Sequence, residues 1–526
     1  MKLRCCFLIA LVATLLGIFQ SFAHSDILLP KVFCDHMVLQ RNSQVPIFGT
    51  ANPDQKLTIT FQDQEIAVTA NVKGDWSAQL ATGAAGGPHE ITIVATDEDA
   101  KIVISDILVG DVWLCSGQSN MSRPVSTALN AEAEIEHSGS YTNLRLFRVE
   151  ESVAASPERE FAKVEPWQIC SPESVKDFSA TGYFFGRELV NRVENVPIGL
   201  ISSAVSGTPC EAWLSRDKMD SIDSLKPLLD HWDQSDEVNS THRPANLFNG
   251  MIAPLRKFPI RGVIWYQGEA NVGRAAQYKQ LFPVMIEDWR QMFGQAELPF
   301  YFAQLAPFRY QSLGPESLPE LWEAQLQTLK AVPQTGMAVL TDVGNLEDIH
   351  PENKQEAGRR LALLALGKNY VAELESNSES ESKSEPESES ERETESERET
   401  ESERETESEL PETAVDYSGP IFDAVSVVDK KFQIKFSACQ SGLKISKDSE
   451  TLNGFTICGE DKKFVPAMAT IDGDTVHVHS ADVPNPQAVR YGWDIEAPMT
   501  LINGAGLPAS PFRTDDFPVA TPNADF

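Results

Sequence analysis

Residues 112–124 read VWLCSGQSNMSRP, an apolar run that stops abruptly at a serine-centred turn. Four similar short runs follow along the chain, with patterns typical of helices between them. With Val112–Cys115, the predicted strands are Ile198–Ser203, Val263–Tyr266, Phe300–Leu305 and Met337–Leu340. The predicted helices are Gly182–Val193, Asn246–Leu255, Ala275–Phe293, Glu320–Val332 and Lys354–Leu366. This alternation predicts an α/β fold, in which helices cover both faces of a parallel sheet.

Polar segments follow four of these five strands. They read GQSNM from Gly117, VSGT from Val205, QGEAN from Gln267 and DIHP from Asp348. Ligands bind at the carboxyl ends of the strands in such sheets, so we expect the four segments to form one site. Between them they supply a hydroxyl, an imidazole, a carboxylate and hydrogen-bond donors, which are the groups that serine hydrolysis requires.

The chain is long enough for several domains. Strict alternation of apolar residues from Lys56 onward predicts an N-terminal β-sandwich over 24–107, ahead of a catalytic domain over 108–372. Residues 373–413 carry eighteen glutamates against one lysine and three arginines, which predicts a disordered acidic insertion. Residues 414–526 form a predicted β-rich region that packs on the sandwich or on the catalytic domain. The sequence leaves the oligomeric state open.

The first 23 residues have the pattern of a signal peptide. Lys2 and Arg4 precede a short apolar stretch, and small residues at 21 and 23 predict cleavage after Ala23. Since no later segment is long and apolar enough to cross a bilayer, we expect an exported protein without an integral membrane segment. Six cysteines remain after cleavage, and Cys439 with Cys458 is the predicted disulfide. The formal net charge of −33 argues against nucleic acid as a partner.

Four motifs resemble the sialate O-acetylesterase-like branch of the SGNH hydrolases. They are GQSNM at Gly117, VSGTPCEAW at Val205, GVIWYQGEAN at Gly262 and DIHPENKQEAGRRL at Asp348. The resemblance extends over nearly the whole chain outside the acidic segment. It implies an α/β/α sandwich with accessory β structure, an acetylated sugar or glycan as substrate, and no metal or cofactor.

The same resemblance assigns roles to individual residues. Ser119 is the expected nucleophile, and His350 the general base. The oxyanion hole would consist of the backbone N–H groups of Ser119 and Gly207 and the side-chain amide of Asn271. Gln118, Gln267 and Glu269 are expected to support these groups.

The carboxylate that orients His350 has several candidates. The resembling branch places it at Asp348, which is our choice. Glu347 and Asp342 are alternatives, and so is a Ser–His dyad helped by a backbone carbonyl. Trp213, Trp265 and Tyr266 lie beside the predicted site and are candidates to stack on sugar; for Trp265, core packing against the sheet edge is at least as good an interpretation.

The resulting hypothesis is an exported serine esterase that removes acetyl groups from sugar hydroxyls, with O-acetylated sialic acids as substrate. Acetylxylan or another acetylated polysaccharide is the alternative substrate. Two other classes remain open, namely a glycan-binding surface protein without activity and a matrix protein organised by the acidic tract.

Overall fold

Strand β7 organises the computed structural model, which describes residues 27–96, 100–374 and 416–518. This strand, Lys101–Gly117, belongs to two sheets at once. Its first half pairs with β6 in the N-terminal region, and its second half is the middle strand of the catalytic sheet. The predicted signal peptide lies outside the described residues.

The N-terminal region consists of strands ahead of β7, which pair in antiparallel fashion except for β1, which is parallel to β7. They are β1 (Val38–Gln40), β2 (Gln44–Thr50), β3 (Lys56–Phe61), β4 (Gln64–Thr69), β5 (Asp75–Ala81) and β6 (Gly86–Ala95). Strands β2 and β5 form one sheet, while β3, β4 and β6 join β7 in the other. In β5 the apolar residues Trp76, Ala78 and Leu80 are buried in alternation with exposed neighbours, because successive side chains of a strand point to opposite faces.

The catalytic region alternates strands and helices as expected. Its strands after β7 are β8 (Leu144–Val149), β9 (Val164–Ile169), β10 (Ile198–Ala204), β11 (Gly262–Tyr266), β12 (Phe300–Gln304) and β13 (Thr335–Val339). Its helices are α1 (Ser119–Ser122), α2 (Ala131–His137), α3 (Pro172–Val175), α4 (Ala180–Arg192), α5 (Arg216–Asp220), α6 (Lys226–Asp233), α7 (Ala275–Phe293), α8 (Ser317–Ala331) and α9 (Lys354–Asn369). The sheet order is β13-β12-β11-β7-β10-β8-β9, with parallel pairs from β13 to β8. The predicted fold class is confirmed.

Helices cover both faces of this sheet. Trp113 of β7 packs against Phe185 of α4 and donates its indole N–H to Tyr370, just after α9. Gly262 of β11 pairs with Trp113, so these two residues share a face of the sheet. Trp265 lies three residues after Gly262 and therefore points to the other face. On that face it packs against Phe282 of α7.

One predicted helix is wrong, and two strands were missed. Within 246–255 the chain forms a π turn, Phe248–Ile252, and a 3₁₀ turn, Ala253–Leu255, rather than an α-helix. Pro254 lacks the N–H that an α-helix would need there. Strands β8 and β9 were not predicted, since the sequence LRLFRV of β8 carries two arginines in six residues.

The C-terminal strands form separate antiparallel sheets. They are β14 (Ile421–Val428), β15 (Lys431–Ser437), β16 (Leu443–Ile445), β17 (Phe455–Cys458), β18 (Val465–Pro466), β19 (Met468–Asp472), β20 (Thr475–His479), β21 (Ala488–Tyr491), β22 (Leu501–Asn503) and β23 (Phe512–Arg513). They contact the catalytic region, where Arg513 forms an ion pair with Glu323 of α8 at 2.9 Å. Ser510 accepts a hydrogen bond from Gln304 at the end of β12.

The predicted disulfide is wrong. Cys439 and Cys458 are both free, as are the other four cysteines of the described residues. Cys458 ends β17, whereas Cys439 lies just after β15, which belongs to another sheet. Glu373, the first residue of the predicted acidic insertion, forms an ion pair with Arg41 at 2.8 Å. Residues 375–415 lie outside the described residues.

Candidate active site

Three parallel strands end side by side at the predicted site. Gly117 of β7 lies opposite Ala204 of β10 on one side and opposite Tyr266 of β11 on the other. At Gly117 the backbone has a φ of 136°, and an added Cβ would lie 2.2 Å from the carbonyl oxygen of Tyr266. Only glycine combines this conformation with so close an approach. The register therefore brings the loops after β7, β10 and β11 together.

Ser119 is the first residue of α1 and is 7% exposed. Among the described residues its hydroxyl has no hydrogen-bond partner, and it is not bonded to His350. Catalytic hydrogen bonds are often long before substrate binds, so the absence of a Ser119–His350 bond here is compatible with His350 as the base in the substrate complex. The preceding residue, Gln118, accepts hydrogen bonds from the N–H groups of Gly268 and Ala270 at 3.4 and 3.1 Å. Gln118 thus fixes the turn that follows β11.

The amide of Asn271 is fully buried and tightly oriented. Its oxygen accepts hydrogen bonds from the N–H of Cys210 at 2.9 Å and from Nε2 of Gln267 at 2.7 Å. Its Nδ2 donates to Glu211 at 3.1 Å, and Glu211 is also paired with Arg274. One of the two Nδ2 hydrogens remains without an acceptor in the part of the chain that the structure describes. A preorganised donor of this kind is suited to an oxyanion.

Gly207 lies in the loop after β10. Its φ of 74° favours glycine, and an added Cβ would meet nothing within 4 Å. Ser206 next to it contacts Ser122 of α1, with the two hydroxyl oxygens 3.2 Å apart. The Gly207 loop therefore lies against the helical turn that begins at Ser119.

His350 lies in the loop between β13 and α9, with its side chain 28% exposed. Asp348 is the nearest carboxylate, and its Oδ1 accepts the backbone N–H of His350 at 2.8 Å. The same oxygen is 3.8 Å from Nδ1 of the ring, which is too long for a hydrogen bond. Asp348 thus fixes the loop and lies beside the imidazole without being bonded to it.

The alternative carboxylates are engaged elsewhere. Glu347 is largely exposed and forms an ion pair with Arg309. Asp342 forms a two-pronged ion pair with Arg360 of α9, at 2.5 and 2.7 Å. Asp348 is therefore the best placed of the three to act on His350.

The environment of His350 favours the neutral imidazole. Burial lowers the pKa of His350, and the positive charges of Arg123 and Lys354 lower it further. Asp348 raises the pKa by a smaller amount. A neutral ring is the form that accepts a proton.

A buried network that sequence reasoning missed joins the serine loop to the histidine loop. Asn120 donates from Nδ2 to Glu269 at 2.5 Å and to the carbonyl oxygen of Ile349 at 3.0 Å. Its Oδ1 accepts a hydrogen bond from Lys354 at 2.5 Å. Burial lowers the pKa of Lys354 to about 7 and raises that of Glu269. Both Asn120 and Lys354 lie inside the quoted motifs, but no local pattern indicates that they meet.

The aromatic residues beside the site pack in the core. Trp213, Trp265 and Tyr266 are at most 1% exposed. Trp213 donates to Thr208 and stacks edge-on against Trp265, so stacking of these rings on sugar is excluded in this conformation.

Two further observations concern metal ions and membranes. Among the described residues, no group of three or more His, Cys, Asp and Glu side chains is arranged to hold a metal ion. No described helix combines the length and the apolar character that a membrane span needs.

Comparison with known proteins gives consistent matches. A family model described as "Carbohydrate esterase, sialic acid-specific acetylesterase" matches residues 109–366. Sialate O-acetylesterase of Homo sapiens is 31% identical over 366 residues, which cover 64% of this chain and 69% of that protein. The Mus musculus protein of the same name is 32% identical over 400 residues, covering 65% and 73%.

A solved structure matches almost the entire chain. A carbohydrate acetylesterase from Xanthomonas citri is 34% identical, with a TM-score of 0.79, and the match covers 94% of this chain and 100% of that one. The chain therefore belongs to the carbohydrate esterase family of sialic acid-specific acetylesterases and is a carboxylic ester hydrolase.

Proposed function

We propose that the chain is an exported serine esterase that removes O-acetyl groups from sugar hydroxyls, with O-acetylated sialic acids as substrate. The observation that carries this proposal is the convergence of the loops bearing Ser119, Gly207, Asn271 and His350 at the end of β7. The choice of sialic acids is supported by the mammalian relatives, which are named sialate O-acetylesterase.

The proposed reaction starts with the hydroxyl of Ser119. His350 takes its proton while the serine oxygen attacks the carbonyl carbon of the acetyl ester. The carbonyl oxygen becomes an oxyanion, which accepts hydrogen bonds from the backbone N–H groups of Ser119 and Gly207 and from Nδ2 of Asn271.

The intermediate then collapses. The bond between the acetyl carbon and the sugar oxygen breaks, and His350 gives its proton to that oxygen, so the sugar leaves as an alcohol. Water attacks the acetyl-serine in the same way, with His350 again as base. Acetate is released and the serine hydroxyl is restored. Asp348 contributes by holding the histidine loop and by stabilising the positive imidazole.

A second substrate class, neutral acetylated polysaccharides, is favoured by the charge beside the site. A cavity of about 390 Å³ is lined by Ser122 of α1 and by Ala204 at the end of β10. The charged residues of its lining are Arg148, Lys163, Glu150, Glu151 and Glu165. Three glutamates against two cations make the lining net negative, and both cations are already paired with glutamates, so the lining would repel a sugar carboxylate.

Release of acetate tests the function and the substrate together. The purified protein and its Ser119→Ala variant are given a small activated acetyl ester, O-acetylated sialic acids and acetylated xylan. Ser126→Ala, an exposed serine close by, serves as the matched control. We expect release from sialic acids that requires Ser119 and not Ser126. Release from xylan alone would support the second class, and equal release by Ser119→Ala would reject the serine mechanism.

Export is supported by the sequence, and the buried cysteines Cys115 and Cys170 are compatible with it. Burial raises the pKa of Cys170 to about 12 and that of Cys115 further, so these thiols are poorly reactive toward oxidants. The mass of the protein purified from the medium of expressing cells tests this proposal, since cleavage after Ala23 predicts His24 as the first residue.

A further inference from the structure

Lys354 is placed where a lysine is ordinarily unfavourable. It is the first residue of α9, directly after the capping residue Asn353, and only 3% of it is exposed. The amino end of a helix carries partial positive charge, which disfavours a cation, and burial adds a cost for desolvation. Residues that break a local rule in this way are expected at functional sites.

The surroundings of Lys354 compensate for this placement. Its Nζ donates to Oδ1 of Asn120 and lies 5.5 Å from the ring centre of Tyr266. Glu269, in the turn after β11, is the opposite charge that most affects it. The other charged or titratable groups that face it are Arg123 after α1, and Asp348 and His350 in the loop before α9.

Lys354 determines how the amide of Asn120 is turned. A lysine side chain donates hydrogen bonds and, when charged, accepts none, so the amide oxygen must face Nζ. Both Nδ2 hydrogens then point to acceptors, one on Glu269 and one on the carbonyl of Ile349. Asn120 follows Ser119 in the chain, and Ile349 precedes His350. A single oriented amide thus connects the two residues that must react together.

We infer that Lys354 is a positioning residue: through the amide of Asn120 it holds the loop of His350 in the correct position relative to Ser119. The inference rests on the proposed roles of Ser119 and His350. The hydrogen bond persists when Lys354 loses its proton, because a neutral amine still donates. The cation itself has a second effect, since its field disfavours a proton on His350.

The Lys354→Met variant tests the inference, because methionine fills similar space and cannot donate. On the activated acetyl ester we expect kcat to fall on the order of 10- to 100-fold with KM nearly unchanged, as misplacement of reacting groups predicts. The acid limb of the kcat/KM profile should move to higher pH, because a positive charge near His350 is lost. Lys368→Met is the matched control, since Lys368 also lies in α9 over a tyrosine ring, that of Tyr417.

A double variant separates positioning from charge balance. Lys354→Met leaves Glu269 without its cation and should lower Tm, whereas Lys354→Met/Glu269→Gln removes both charges and should recover Tm. Positioning predicts that kcat stays low in the double variant. Recovery of kcat together with Tm, or an unchanged kcat in Lys354→Met, would overturn the inference. Ser119→Ala is measured in parallel, because full activity in that variant would instead reject the proposed function.

Discussion

Replacing Asn271 by alanine separates a catalytic donor from a structural one. If its free Nδ2 hydrogen binds the oxyanion, kcat should fall by about 10²- to 10³-fold, or about 2.7–4 kcal/mol of transition-state stabilisation. The structure also predicts a loss of stability. The N–H of Cys210 would lose its acceptor, at about 1–3 kcal/mol for a buried unsatisfied group. Gln267 and Glu211 would keep their contacts with Thr208 and Arg274.

The two effects are measured separately. Unfolding in urea gives the change in stability, and kcat is measured on the activated acetyl ester at a temperature where both proteins are folded. Asn249→Ala is the matched control, because Asn249 is only 3% exposed and donates to the carbonyl of Ala154, away from the site. It should lose stability and keep kcat. If Asn271→Ala were destabilised but kept kcat within about threefold, Asn271 would be a structural residue only.

Three further predictions concern charge. The pKa of His350 is lowered from the ordinary histidine value of about 6.5, so kcat/KM should fall on acidification only below about that pH. A fall in kcat/KM that begins at higher pH would contradict the role of His350 as base. Asp348→Asn should lower kcat by roughly 10- to 100-fold, less than in a buried triad because the carboxylate is half exposed and not bonded to the ring. Glu347→Gln should leave kcat unchanged. If instead Glu347→Gln lowered kcat and Asp348→Asn did not, the carboxylate that orients His350 would be Glu347. The unfolded chain binds more protons than the folded one between the pKa of Lys354, about 7, and its ordinary value of 10.5. Wild-type stability relative to Lys354→Met should therefore rise with pH across that window, as urea unfolding can measure, and a flat difference would refute it.

The catalytic sheet could be predicted because its strands are buried on both faces. Such strands are short continuous apolar runs, and the polar loop after each one marks its carboxyl end. The same reasoning missed β8, since Arg145 and Arg148 suggest a solvated segment. In the structure Arg145 is 4% exposed and forms an ion pair with Asp106, 39 residues earlier in the chain. A buried charge of this kind depends on a partner that only the fold provides.

In the site, too, residues within local motifs could be predicted from the sequence, whereas contacts between distant residues could not. Ser119, Gly207, Asn271 and His350 lie in recognisable motifs, whereas the contact between Asn120 and Lys354 joins residues 234 positions apart. In the sequence, Lys354 reads as an ordinary polar residue near the start of a helix. Its burial follows from the close packing of α9 on α4, where a Cβ on Gly358 would lie 2.5 Å from Phe184. No local pattern contains that information.

The continuity of β7 means that the N-terminal sheet is part of the scaffold that holds Ser119. Asp111, midway along the strand, is fully buried and is bound by Gln40 at 2.8 Å and by Arg41 at 2.9 Å. Gln40 also accepts the N–H of Val112, where the strand enters the catalytic sheet. A buried carboxylate that lost its cation would cost about 3–5 kcal/mol, so the second half of β7 depends on residues that precede it by some seventy positions. The strand that leads into the proposed nucleophile is therefore fixed along its whole length, by the N-terminal sheet before Asp111 and by β10 and β11 after it.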